Sequence, residues 1–185
     1  MSHPVKTAIN FALAYILAEL IMVATGYHLN EMARFVTYAA NTLFLLLAVF
    51  ISIRKETKLR KGIPTSFLVD IKTGLKAVGV YALSITVFVY FYYNFIVPDY
   101  TIAKVETVRA AAQAHDFAEL QRISPKEYGG MSHEEFVELM VKNAQYWLNP
   151  SKVVPITLLG LMLIGFIYTF ILTAINRRVL SKFRS

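Results

Sequence analysis

Charged residues fall almost wholly outside four apolar runs, at about residues 8–27, 35–53, 74–97 and 153–175. Crossing a bilayer takes about 20 helical residues, each adding about 1.5 Å to a hydrocarbon thickness of about 30 Å. Each run meets that length. One such helix could be buried in a soluble core, but four in 185 residues could not. The pattern predicts an all-α integral membrane bundle of four transmembrane helices. A short helical hairpin lies outside the membrane between spans three and four, and residues 1–185 form a single four-span domain. Lys6 precedes the first run as in a signal peptide. That run is longer than a usual signal core, carries Glu19 well inside, and has its ALA triplet at 12–14 too early for cleavage, so it is expected to remain as a span.

The ends of the third and fourth runs carry interface signals. In FYYNFIVPDY, residues 91–100, an aromatic cluster is followed by Pro98-Asp99. Amphipathic rings such as Tyr90, Tyr92 and Tyr93 favour the headgroup layer. Pro98 disfavours a helical conformation at Val97, and Asp99 is costly in lipid. Tyr146 and Trp147, just before Asn149-Pro150 and the fourth run, predict a matching anchor on the same side.

Between them, segment 99–152 reads as two short amphipathic helices. In the first half, Ile102, Val105, Val108, Ala112 and Leu120 recur at helical spacing. Pro125 and Gly129-Gly130 interrupt the pattern. The second half opens on a capping box, Ser132 with Glu135, and a hydrophobic staple, Met131 with Phe136. This segment holds eight acidic and six basic residues, so it is not a polybasic lipid or nucleic-acid binder.

Charge then sets the orientation. Arg54, Lys55, Lys58, Arg60 and Lys61 follow the second run, and Arg177, Arg178, Lys182 and Arg184 follow the fourth. The loop after the first run offers only Arg34. Lys and Arg concentrate on the cytoplasmic side, so both termini and the 54–73 linker are expected there. The net charge of +7 comes from residues flanking apolar runs, not from a basic stripe, which excludes a nucleic-acid reading. Hydrophobic residues make up 56% and charged residues 17%, against about 45–50% and about 25% for soluble domains. With no cysteine, disulfides, thiolate metal sites and cysteine nucleophiles are excluded.

Candidate chemistry is sparse. Glu19 is an ionisable group inside a span, costly there and a functional candidate by default. Tyr15 lies one turn before it and Asn10 further toward the cytoplasm, while Asn41, Thr37 and Tyr90 on other spans could bond it. Either it locks the bundle through hydrogen bonds, or it carries protons, ions or substrate. Lys72 and Lys76, one turn apart with Asp70 before them, read as snorkelling cations or as a phosphate site for a lipid-linked substrate. Arg54, Lys55, Lys58, Arg60 and Lys61 are candidate contacts for anionic lipid. Ala14-x-x-x-Ala18 and Thr169-x-x-x-Thr173 have the small-residue spacing of close helix contacts. His28, His115 and His133 have no metal-ligand spacing, and no phosphate loop, nucleophile elbow or paired-carboxylate context occurs. No catalytic residue, cofactor or metal is expected.

The basic linker, the stretch FLVDIKTGLKAVGVYALSITVFVYFYYNFIVPDY, then GGMSHEEFVELM and a last span ending in INRR carry a resemblance. The chain resembles the bacterial four-span family catalogued as domain of unknown function 4199. Its marks are Phe95 to Tyr100 and the Gly130-Met131-Ser132 opening of the outer helix. The resemblance implies a four-span fold in a bacterial inner membrane and brings no catalytic residues. The expectation is a non-catalytic membrane protein, an accessory or assembly subunit of an envelope complex. It would meet the lipid bilayer and a membrane-protein partner or further copies of itself. The alternatives are a small oligomeric transporter or channel using Glu19, and an enzyme acting on a lipid-linked substrate.

Overall fold

A computed structural model describes residues 2–59 and 66–182, without the side chains of 31 and 178–182. All elements in it are helical: α1 His3–Ala24, α2 Glu31–Leu59, α3 Phe67–Phe91, α4 Asp99–Ala114, α5 Phe117–Ile123, α6 Pro125–Tyr128, α7 His133–Leu148 and α8 Pro150–Lys182. In hydrocarbon no water can satisfy the peptide groups, so a lone segment must bond internally as a helix. Four helices, within His3–Ala24, Met32–Leu59, Phe67–Ile96 and Pro150–Arg177, are long and apolar enough to cross a membrane. The chain is a multi-pass membrane protein.

The chain divides into two compact units, Met1–Val89 with Pro155–Ser185, and Tyr90–Val154. In the first unit, all four long helices contribute to one core. Its buried residues include Ala8, Ala12 and Tyr15 of α1, Leu45 and Val49 of α2, Val78, Tyr81 and Ile85 of α3, and Leu161 of α8. The turn from α1 to α2 is tight. Gly26 takes φ 75° in the left-handed region, where a glycine meets no steric penalty. Asn30 Oδ1 then accepts the Ala33 amide at 3.0 Å to cap α2.

Small residues let α3 and α8 approach. A Cβ built on Gly74 would stand 2.6 Å from Thr169 Cγ2, and one on Gly165 would stand 2.7 Å from Val78 Cγ2. Pairing 74 with 169 and 78 with 165 shows that the two helices run antiparallel in register. Thr169 and Thr173 are both fully buried, so that spacing does serve a helix contact inside the bundle. Ala14 is exposed and Ala18 half-buried, so the other spacing lies off the core. The most apolar stretch of α3 is 44% buried and that of α8 only 22%. Thus α3 is the most enclosed span, and α8 turns Leu159, Leu163, Phe166 and Ile167 outward, a surface suited to lipid and not to water.

The second unit has its own core, Val105 and Ala112 of α4 with Phe136, Val137 and Val141 of α7. Thr101 Oγ1 reaches the Leu148 carbonyl at 3.5 Å and a His133 ring nitrogen lies 3.2 Å from the Ala112 carbonyl, so α4 and α7 run antiparallel. Four helices occur where the periodicity predicts two. The first half breaks at His115-Asp116, where the Asp116 carboxylate accepts the Glu119 amide at 3.2 Å and caps a new helix. Asp at this position with Glu three residues on was the local signal for that break. Before α4, the chain leaves α3 through a π-helical turn, Tyr92–Ile96, in which Val97 N–H bonds the Tyr92 carbonyl at 2.9 Å.

The capping box of α7 is complete. Ser132 Oγ accepts the Glu135 amide at 3.2 Å, and Glu135 Oε2 accepts the Ser132 amide at 2.7 Å. Met131 packs against the cluster that contains Phe136, as a staple requires. Ser132→Ala is expected to cost about 1 kcal/mol of α7 stability, read as faster amide exchange at 133–137; unchanged protection would contradict it. The Ser132 amide holds the Glu135 carboxyl below its ordinary pKa. A lowered folded pKa means that the stabilisation is complete above the ordinary glutamate range and fades as pH falls through the lowered value. Protection at the α7 start, taken relative to the intrinsic exchange rate at each pH, should therefore fall at acid pH in the wild type and change little with pH in Glu135→Gln.

Candidate functional site

Several polar groups inside the spans are held by contacts within the bundle. Tyr15 and Glu19 are one turn apart on α1, both on its buried side, and the Tyr15 hydroxyl donates to Glu19 Oε1 at 2.6 Å. Only 4% of Glu19 is exposed, and its Oε2 has no hydrogen-bond partner among the described residues. Arg34 stands near the start of α2. Arg34 is itself buried, with an NH2 group donating to the Tyr38 hydroxyl and its guanidinium 5.1 Å from the centre of that ring. Thr37, also buried, donates to the Arg34 carbonyl at 3.0 Å. The arrangement gathers a carboxyl, a phenol and a guanidinium toward one end of α1 and α2.

The remaining candidates for this group go elsewhere. Asn41 serves Tyr81 of α3, whose hydroxyl lies 2.7 Å from Asn41 Oδ1 and 3.1 Å from its carbonyl. Asn10 is exposed on the opposite side of α1 from Glu19. Tyr90 is exposed too and belongs to the second unit, where it makes edge contacts with Phe91 at 5.6 Å and Phe95 at 6.4 Å. Of the five residues proposed for an in-span site, the structure joins Glu19 and Tyr15.

Near the other end of the bundle, Asp70 in the first turn of α3 has 1% of its side chain exposed. Its Oδ2 lies 3.4 Å from Nε of Arg177 on α8, and Arg177 also covers the Phe67 ring at 5.5 Å. Asn176, one residue before, donates to Thr57 Oγ1 of α2 at 3.3 Å. Lys72 and Lys76 are exposed while Asp70 is buried. The three residues of the lipid-linked substrate site therefore do not converge: Asp70 turns inward to an arginine 107 positions on (177 − 70), and the lysines face outward. Arg54, Lys55 and Lys58 are exposed, with Arg54 over the Phe50 ring at 5.7 Å. Arg60 and Lys61 lie outside the described residues.

In the second unit, α4 and α7 border a groove of about 980 Å³ whose lining includes Arg109, Gln113, Glu134, Glu138 and Lys142. His133 at its edge stacks on Phe117 at 5.4 Å. Among the described residues no group of three His, Asp or Glu side chains is placed to hold a metal ion.

The model of a family described as Protein of unknown function (DUF4199) matches residues 6–178. The chain belongs to this family. The match takes in all four apolar helices and the whole of the second unit. Neither a curated protein nor a solved structure matches the chain. Within this DUF4199 member, sequence reasoning found the Tyr15–Glu19 pair, since one helical turn separates them. It missed Tyr81 with Asn41 and Asp70 with Arg177, which lie far apart in sequence and are joined by packing. The presence of Asp70 in the first turn of α3, where an acid suits the local helix dipole, was the one local trace of the second pair.

Proposed function

We propose that this DUF4199 protein is a non-catalytic component of the bacterial cytoplasmic membrane that serves as an accessory or assembly subunit of an envelope complex. The observation that carries this reading is the second unit. Tyr90–Val154 packs around its own core and presents a groove lined by both signs of charge, which a partner of complementary charge pattern can meet. Several polar groups of the spans, in contrast, bond one another inside the bundle, as Tyr15 does Glu19 and Tyr81 does Asn41. Purification of the full chain in mild detergent should recover a stoichiometric partner, and Arg109→Glu with Lys142→Glu should release it. Repeated recovery of this chain with no other protein would overturn the reading.

Both termini belong in the cytoplasm and the second unit outside, from the Arg and Lys asymmetry of the loops. The cysteine-free sequence gives a clean background for labelling. Lys58→Cys and Glu127→Cys, both at exposed positions, should react from the cytoplasmic and outer sides respectively. The reverse pattern would sink the orientation.

One observation favours a second reading, a small oligomeric transporter or channel. Glu19 Oε2 is buried and without a hydrogen-bond partner among the described residues, which leaves one carboxyl oxygen free to hold a proton or a cation.

A further inference from the structure

An aromatic stripe runs along α8 and crosses to α3 at the end of the bundle that holds Asp70. Phe166, Phe170 and Arg177 recur on α8 at intervals of four and seven residues, one face of the helix. The Phe166 and Phe170 rings lie 4.6 Å apart, and Phe170 stands edge-on to Phe67 of α3 at 6.3 Å. Arg177 covers Phe67, so the stripe ends on a cation. All three rings are exposed, and none belongs to the described core of the bundle.

The stripe is as long as one leaflet is thick. Arg177 falls just beyond the apolar run 153–175, where headgroups begin, and Phe166 lies eleven residues back (177 − 166). At about 1.5 Å per residue that is about 16 Å, against about 15 Å for half the hydrocarbon thickness. The cation is also held in place, since the buried Asp70 carboxylate lies against its Nε. A guanidinium carries five N–H donors, of which a carboxylate fork takes two, and 38% of the Arg177 side chain is exposed. From Asn176 onward the sequence holds Arg177, Arg178, Lys182 and Arg184 and no acidic side chain. An anion arriving here meets a net positive stretch of chain.

We propose that this stripe binds one anionic phospholipid, its phosphate on the Arg177 guanidinium and an acyl chain along Phe67, Phe170 and Phe166. The occupant is a lipid because exposed rings on a membrane span face acyl chains. It is anionic because the stripe ends on a cation, and a planar guanidinium matches phosphate oxygens as a fork, which the point charge of a lysine does not. Lys72 and Lys76 are exposed on the far side of α3 from Phe67, at about 100° per residue, and take no part. The site uses neither Glu19 nor the second unit, so it stands or falls apart from the proposed assembly role.

The test titrates the full chain, in uncharged detergent, with phosphatidylglycerol, phosphatidylcholine or glycerol phosphate, and counts what stays bound by native mass spectrometry. Phosphatidylglycerol should bind more tightly than phosphatidylcholine and raise the melting temperature by mass action. Glycerol phosphate, which has no acyl chain, should do neither. Phe166→Ala with Phe170→Ala removes exposed rings outside the core, so the chain should fold and hold phosphatidylglycerol several-fold less tightly. Arg177→Gln alone strands a buried carboxylate and should destabilise the bundle. Asp70→Asn with Arg177→Gln avoids that, and should bind phosphatidylglycerol at least about tenfold more weakly, no better than phosphatidylcholine. Lys72→Gln, which removes one charge elsewhere on α3, should bind as the wild type does. Equal binding of the two lipids, or glycerol phosphate binding as well as the lipid, would overturn the proposal. So would undiminished binding in either folded double variant, or a loss in Lys72→Gln as large as theirs.

Discussion

Gly165→Ala is expected to destabilise the bundle by about 1–3 kcal/mol, and Gly165→Leu by more, because any side chain there must enter space already filled. A Cβ at 165 would stand 2.7 Å from Val78 Cγ2 and 3.1 Å from Val78 Cβ. Val78 is fully buried and stiff at its branch, so it has nowhere to swing. Strain at this point therefore passes to the backbones of α3 and α8. The same helix supplies the control. A Cβ at Gly160 meets nothing within 4 Å, so Gly160→Ala should be neutral or stabilising by up to about 1 kcal/mol, the gain in helix propensity. Thermal unfolding in detergent would compare the two variants. Equal losses at 160 and 165 would mean that α3 and α8 do not meet at Gly165.

Glu19→Leu is expected to cost about 1–3 kcal/mol, since it leaves the Tyr15 hydroxyl buried without its acceptor. Glu19→Gln keeps both an acceptor and the shape, and measured hydrogen bonds inside membranes average only about 0.6 kcal/mol, so its effect on melting should be small. The two proposed functions then part on activity. An assembly subunit with a structural Glu19 should still recover its partner as Glu19→Gln. A transporter should lose function completely with folding intact, because an amide cannot cycle between charge states. Loss of growth in Glu19→Gln, with partner recovery, expression and melting temperature normal, would move the conclusion to the transport reading.

What the sequence determined by itself is what local chemistry dictates. The lengths of the apolar runs specify four spans, because the bilayer thickness sets a minimum number of helical residues. Ser132 and Glu135 specify the start of α7, since the first amides of a helix need acceptors within three residues. Tyr15 and Glu19 could be paired because one helical turn separates them. The break at His115-Asp116 was legible as well, in the spacing of Asp116 and Glu119, although the longer apolar periodicity hid it.

Tertiary structure decided which polar groups meet across helices. Tyr81 finds Asn41, Arg177 finds Asp70, and Gly165 receives Val78. It also decided that Lys72 and Lys76 turn away from Asp70 and that Asn10 faces out of the bundle. The reason lies in the solvent. In water an amphipathic stripe marks the buried side of a helix, but a span is apolar all round. Its rotation about its own axis is then fixed only by where small residues permit close approach and where polar groups find partners. Those are properties of two helices together, and no single stretch of the chain contains them.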